Sequence, residues 1–140
     1  MNIVSIVPTQ TEIQFFEDRI YEHNATGINE YNGKLFCKLI YDPDNSIIAG
    51  ITGWTWAGAC EITSLWVKPA YRNKGYGKAL LEAAETEAKK ENCTTVLLRT
   101  YSFQAPQFYK RQGFELAYTV DNFPQGHSQF CFVKRMSRGI

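Results

Sequence analysis

The stretch from Leu65 to Leu81 constrains this chain more than any other. An apolar run, Leu65-Trp66-Val67, ends at Lys68-Pro69. A basic turn with two glycines follows, Ala70-Tyr71-Arg72-Asn73-Lys74-Gly75-Tyr76-Gly77, and Lys78-Ala79-Leu80-Leu81 opens an amphipathic helix at once. A strand, a turn of free backbone N–H groups and a helix N-terminus together make an anion site, because the unpaired N–H groups and the helix dipole aim positive potential at one point. Gly75 and Gly77 carry no side chains, so a phosphate can approach the backbone closely. Arg72, Lys74 and Lys78 add charge around the same point. The arrangement suits a pyrophosphate.

Two common phosphate-binding patterns do not fit. A P-loop needs Ser or Thr after Gly-Lys, and Gly77-Lys78 is followed by Ala79. A dinucleotide fingerprint needs a third glycine where Leu80 stands. The pattern that fits is Arg-x-x-Gly-x-Gly, as Arg72-Asn73-Lys74-Gly75-Tyr76-Gly77, with a second block downstream, Ala105-Pro106-Gln107-Phe108-Tyr109-Lys110-Arg111-Gln112-Gly113-Phe114. The first resembles the acetyl-CoA signature of the GNAT (Gcn5-related N-acetyltransferase) superfamily, and the second resembles that family's helix end ending in Gly-Phe. The resemblance covers about Ile47 to Phe114 well and the flanks loosely.

At 140 residues the chain reads as one domain, 1–140, with enough length for a core. The net charge of +1 gives no global basic field, so a nucleic-acid partner is not expected despite Arg72, Lys74, Lys78, Lys89 and Lys90. No apolar run approaches the roughly 20 residues of a membrane span, and Met1-Asn2-Ile3-Val4-Ser5 lacks the features of a signal peptide. Four cysteines, at 37, 60, 93 and 131, form no C-x-x-C, and only His23 and His127 could join them, so no metal site is expected. The cysteines read as small buried hydrophobes with free thiols, and the chain as cytoplasmic.

Hydrophobic spacing gives the element order. Residues 3–7 alternate weakly as a first strand, stopped by Pro8. Thr9-Gln10-Thr11-Glu12 is a capping box for a helix over 10–23, ended by the polar turn His23-Asn24-Ala25-Thr26-Gly27. Lys34–Tyr41 and Ser46–Trp54 form a hairpin around Asp42-Pro43-Asp44-Asn45, and Cys60–Val67 is the next strand. A helix over 75–91, a strand over 94–100, a helix over 102–112 with Gly113 at its C-terminus, and strands over 115–120 and 128–136 complete the chain. The order β-α-β-β-β-α-β-α-β-β is α+β, a mixed and mostly antiparallel sheet flanked by helices. The GNAT resemblance implies the same fold. It also implies a central splay near the strands at 61–67 and 95–100, where the pantetheine arm of acetyl-CoA enters and pairs like an added strand.

The resemblance implies roles for particular residues. Glu61 lies 11 positions before Arg72, the spacing at which the histone-acetyltransferase branch places its general base. Tyr109 matches the tyrosine near the CoA sulfur and would protonate the leaving thiolate. One of Phe108 and Tyr109 should face the core and the other the cofactor. Backbone groups of Leu65, Trp66 and Val67 would polarise the thioester carbonyl. Arg72, Asn73, Lys74, Gly75, Tyr76, Gly77 and Lys78 would hold the pyrophosphate. Tyr31, Trp54, Trp56, Phe123 and His127 are candidates for the acceptor site; Trp54 and Trp56, two apart on a strand, face the same side. Cys60 beside Glu61 lacks an activating base, so a covalent intermediate is not expected.

The expected activity is transfer of an acetyl group from acetyl-CoA to a primary amine of a small molecule or protein, by direct attack in a ternary complex. A non-catalytic CoA-binding module or partner protein on the same fold is the alternative. A homodimer is compatible with either.

Overall fold

The computed structural model describes residues 1–137. The chain divides into two compact units, Met1–Tyr31 and Asn32–Ile140.

In the first unit residues 1–9 carry no helix or strand. The strand expected over 3–7 is therefore absent, and Ile3, Val4, Ile6 and Val7 are exposed. Weak alternation over five residues does not hold a strand that has no ladder to join, and Pro8 removes a donor at its end. The first helix, α1, runs Gln10–Ile28, five residues past the expected end. The polar run His23–Gly27 stays helical because closure comes later. Asn29 takes a left-handed φ of 55°, and Glu30 N–H bonds back to the Ala25 carbonyl at 3.0 Å. The capping box forms differently from expectation: the Thr9 hydroxyl bonds the Glu12 carboxylate rather than a backbone N–H.

The second unit is a six-stranded sheet with two helices. Its elements are β1 (Lys34–Tyr41), β2 (Ile47–Trp56), β3 (Ala59–Val67), a 3-10 turn at Pro69–Tyr71, α2 (Tyr76–Lys90), β4 (Thr95–Tyr101), α3 (Pro106–Arg111), β5 (Glu115–Asp121) and β6 (Ser128–Arg135). The sheet order is β1-β2-β3-β4-β6-β5. Every neighbour is antiparallel except β3 and β4. Asp42 builds the first hairpin turn by accepting from the N–H groups of Asp44 and Ser46 at 2.9 and 3.0 Å. Ala57 and Gly58, with φ of 49° and 80°, make the second.

One face of the sheet carries Phe36, Ala49, Ile51, Cys60, Ile62, Val96, Leu98 and Phe132, which form a single core with Leu80, Leu81, Ala84 and Ala88 of α2. The small alanines let α2 lie close to the sheet while the leucines fill the space between. Burying side chains of this size is worth about 1.5–3 kcal/mol each for the larger ones. By strand alternation Trp54, Trp56, Glu61, Leu97 and Arg99 point to the opposite face.

The parallel pairing of β3 with β4 covers only Ala59–Ile62 against Thr95–Leu98. After Ile62 the strands part. A bulge marks the point: Thr52 opposes Ser64 while Gly53 opposes Ile62, so Thr63 is the extra residue. Its hydroxyl meets that of Thr52 at 2.9 Å. The central splay expected from the resemblance is present.

Candidate functional site

The gap between β3 and β4 offers unpaired backbone. Lys68 N–H donates to the Ile48 carbonyl at 2.7 Å. Given the register Ala49 with Val67, Gly50 with Trp66 and Ile51 with Leu65, the β3 residues that bond across to β2 alternate as Lys68, Trp66 and Ser64. The backbone of Leu65 and the N–H of Val67 therefore point into the gap, while the Val67 carbonyl is taken by Arg72. Of the three backbone positions expected to contribute, Leu65 and Val67 face the opening and Trp66 turns to β2. Leu65 and Val67 direct their side chains to the core, whereas the Trp66 ring is 48% exposed. On the far wall, Ser102 N–H bonds the Ser128 carbonyl at 2.8 Å, so Arg99 and Tyr101 turn their backbone groups toward the gap. Gln104 caps that wall: its Oε1 accepts from Tyr101 N–H and from the Thr100 hydroxyl, each at 2.8 Å.

The basic turn closes one end of the gap. Arg72 donates from Nε to the Val67 carbonyl at 2.8 Å, tying the turn to the end of β3. Lys74 lies over the Tyr71 ring, 5.6 Å from its centre, and Tyr71 packs against Tyr76 at 6.0 Å. Asn73 and Gly75 both take positive φ, 60° and 87°, which turns successive N–H groups to one side. Among the described residues no side chain caps α2. The first-turn N–H groups of Tyr76, Gly77 and Lys78 have no intrahelical acceptor. Arg72, Lys74 and Lys78 are exposed around them. Gly77 behaves differently from expectation: a Cβ there would point at Phe108 Cζ, 3.4 Å away, and at Val67, toward the core side of α2 rather than into the basic turn.

Tyr109 comes from α3. It sits edge-on to Phe108 at 5.1 Å and to Phe114 at 6.1 Å, and 6.1 Å from Phe132. Phe108 and Tyr109 both pack on the core, so the expected division of one inward and one outward ring is not seen. Burial pushes the Tyr109 phenol above its ordinary 10.0, which keeps it protonated.

Glu61 lies on the sheet face opposite Tyr109. It pairs in register with Trp54 on one side and Leu97 on the other. Its Oε2 accepts from Arg99 Nη1 at 2.8 Å, with the two side chains 23% and 44% exposed. A hydrogen bond with Tyr118, and then the Glu61 carboxylate, favour the charged guanidinium. Trp54 and Trp56 share this face and are half-buried. His127 meets the edge of Phe103 at 5.0 Å, and Phe103 stacks on Tyr101 at 5.3 Å. Phe123 is half-exposed and precedes the cis bond to Pro124. Tyr31 belongs to the first unit, where its hydroxyl bonds that of Thr26 at 3.2 Å.

Arg99, Tyr101, Phe103, Gln104 and Tyr118 are the residues that sequence reasoning missed. An arginine inside a buried-strand pattern, Val96-Leu97-Leu98-Arg99, was the available signal. Cys60, Cys93 and Cys131 are buried as expected, whereas Cys37 is exposed because β1 is an edge strand and residue 37 falls on the face away from α2. Burial first, then Cys93 and Glu61, pushes the Cys60 thiol up to about 12, so it holds no thiolate near neutral pH. Among the described residues no helix is long and apolar enough to cross a membrane.

The chain is similar to known proteins. A Streptomyces morookaense protein, blasticidin-S acetyltransferase, is 33% identical over 90 residues, 64% of this chain and 64% of its own length. The chain thus aligns with less than two thirds of that relative. An Agrobacterium fabrum acetyltransferase is 29% identical over 118 residues, 84% of this chain and 86% of that protein. The crystal structure of an acetyltransferase from Bacillus cereus superposes with a TM-score of 0.78 at 30% identity, covering 96% of this chain and 98% of the other. Residues 4–114 match the Acetyltransferase (GNAT) family, a span that contains the splay, the basic turn and α3, and the chain belongs to that family.

Proposed function

We propose that the protein is an N-acetyltransferase that moves an acetyl group from acetyl-CoA to a primary amine held beside it. The observation that carries this reading is the splay together with its basic end. The backbone of Leu65 and the N–H of Val67, whose carbonyl is held by Arg72, can pair with an extended amide-bearing chain, and the uncapped start of α2, with Arg72, Lys74 and Lys78, supports a pyrophosphate one strand-end away. An extended linker between a thioester and a pyrophosphate matches both at once.

The residues around the gap can then share the chemistry. Holding both substrates together supplies much of the rate. Glu61, or a water that it holds, accepts the proton that frees the amine. A gap-facing N–H of β3 stabilises the oxyanion as the amine adds to the carbonyl. Tyr109, protonated because it is buried, gives its proton to the departing sulfur. The relative named for blasticidin S supports a small-molecule acceptor.

The experiment is acetyl-CoA turnover across polyamines, amino acids, antibiotics and lysine peptides, with thiol release followed in time and product mass recorded. An acceptor gaining one acetyl group at nitrogen is the expected result. Tight CoA binding by calorimetry with no turnover on any amine would replace the proposal with a CoA-binding module.

A further inference from the structure

Glu61 and Arg99 form a charge-balanced pair at the point where the sheet opens. Arg99 lies one residue past the last paired rung, Ile62 with Leu98, and its side chain turns back to Glu61. The contact with Glu61 uses Nη1 alone among the five guanidinium donors, Tyr118 hydrogen-bonds the same guanidinium, and the side chain remains 44% exposed. Ion pairs this open contribute little to stability, so the bond to Glu61, unlike the bond to Tyr118, can be exchanged for a ligand at little cost to the fold.

The pair has consequences for any acceptor. An amine carrying only positive charge would have to take the Glu61 carboxylate from Arg99 while facing the like charge of the guanidinium. A zwitterion meets no such conflict. Its ammonium replaces Arg99 at Glu61, its carboxylate takes the freed guanidinium in a two-pronged contact, and one internal ion pair becomes two with the ligand.

From this geometry we propose that the acceptor is an amino carboxylate, with its amine directed to Glu61 and its carboxylate to Arg99, and that Arg99 is the specificity-determining residue. The inference rests on the N-acetyltransferase reading. In the reaction a C–N bond forms as the thioester C–S bond breaks. The ammonium gives up two protons, of which one ends on the thiolate sulfur and one leaves to solvent. The carboxylate is unchanged and serves only to orient.

The test compares α-, β- and γ-amino acids with their carboxamides, which keep the amine and remove the negative charge. Thiol release from acetyl-CoA is measured with the native protein, Arg99→Gln and Arg99→Lys. In the native protein kcat/KM for at least one acid should exceed that of its amide tenfold or more, chiefly through KM. Arg99→Gln should bring the ratio within about twofold, and Arg99→Lys should restore part of it. Amides turned over as well as acids by the native protein, or a preference that survives Arg99→Gln, would overturn the inference while leaving the N-acetyltransferase reading in place. Absence of turnover on acids, amides and simple amines alike, with CoA still bound, would defeat both. The native comparison needs no variant, so a poorly folding Arg99→Gln would not blunt it.

Discussion

A Cβ on Gly53 would collide with the carbonyl oxygen of Glu61. It would also lie 2.5 Å from Phe36 Cζ. Gly53 thus permits the bulge that sets where β3 leaves β4. Gly53→Ala must move backbone or the buried Phe36 ring and is expected to cost about 1–3 kcal/mol, read as a lower midpoint in urea. Gly77 gives the contrast. Its Cβ would meet Phe108 at 3.4 Å, an ordinary contact. Gly77→Ala should fold normally and keep its CoA affinity, because the new methyl points to Phe108 and not toward the basic turn. Gly77→Val should lose stability, since branched carbons have no room between Phe108 and Val67.

Glu61→Gln tests the base. The amide keeps the shape and can still meet Arg99, but it cannot accept a proton at neutral pH. Turnover should fall by roughly 10²–10⁴, with CoA affinity by calorimetry nearly unchanged. Full activity would assign the proton to water or to the acceptor itself.

Tyr109→Phe removes one oxygen from a ring held among Phe108, Phe114 and Phe132, so the melting temperature should change little. Turnover should drop by roughly 10²–10⁴ if the phenol protonates the sulfur. Burial raises this phenol above 10.0, so the native enzyme should keep its alkaline activity to a pH above that value, and the variant should lack that limb. A variant within about threefold of native (under ~0.7 kcal/mol of barrier) would leave the ring a packing role.

The cysteines yield a pH prediction. The Cys60 thiol moves from 9.0 to about 12 in the fold. Above 9.0 the unfolded chain sheds this proton while the folded chain keeps it, so the folded state binds more protons and stability falls as pH rises. The contribution is fully present below 9.0 and is lost progressively toward 12. Denaturant midpoints should decline across that window, and Cys60→Ala should flatten the decline. An alkylating reagent on the native protein at neutral pH should label Cys37 and spare Cys60, Cys93 and Cys131, as mass mapping would show.

The parts of the site that were legible in the sequence are those whose chemistry is local. The basic turn is written in consecutive residues, Arg72 to Lys78, and needs no partner from elsewhere to be recognised. The core face of α2 follows from the spacing of Leu80, Leu81, Ala84 and Ala88. The Glu61–Arg99 pair depends on the parallel register of two strands separated by a helix, and no local pattern encodes that register. Cys37 was misread because an edge strand and a central strand share the same apolar alternation. Residues 3–7 were misread because alternation shows a strand's faces without showing whether a neighbour will accept its hydrogen bonds.

Among the described residues, four rungs, Ala59–Ile62 against Thr95–Leu98, pair β1-β2-β3 with β4-β6-β5 in the sheet. Mechanically the second unit is two half-sheets with a short seam. A ligand that lies along Leu65 and Val67 lengthens that seam, acting as a removable stitch. The amides of Leu65 and Val67 should then exchange slowly with deuterium only when it is present. The melting temperature becomes a readout of how fully the gap is occupied, rising with ligand concentration as mass action requires.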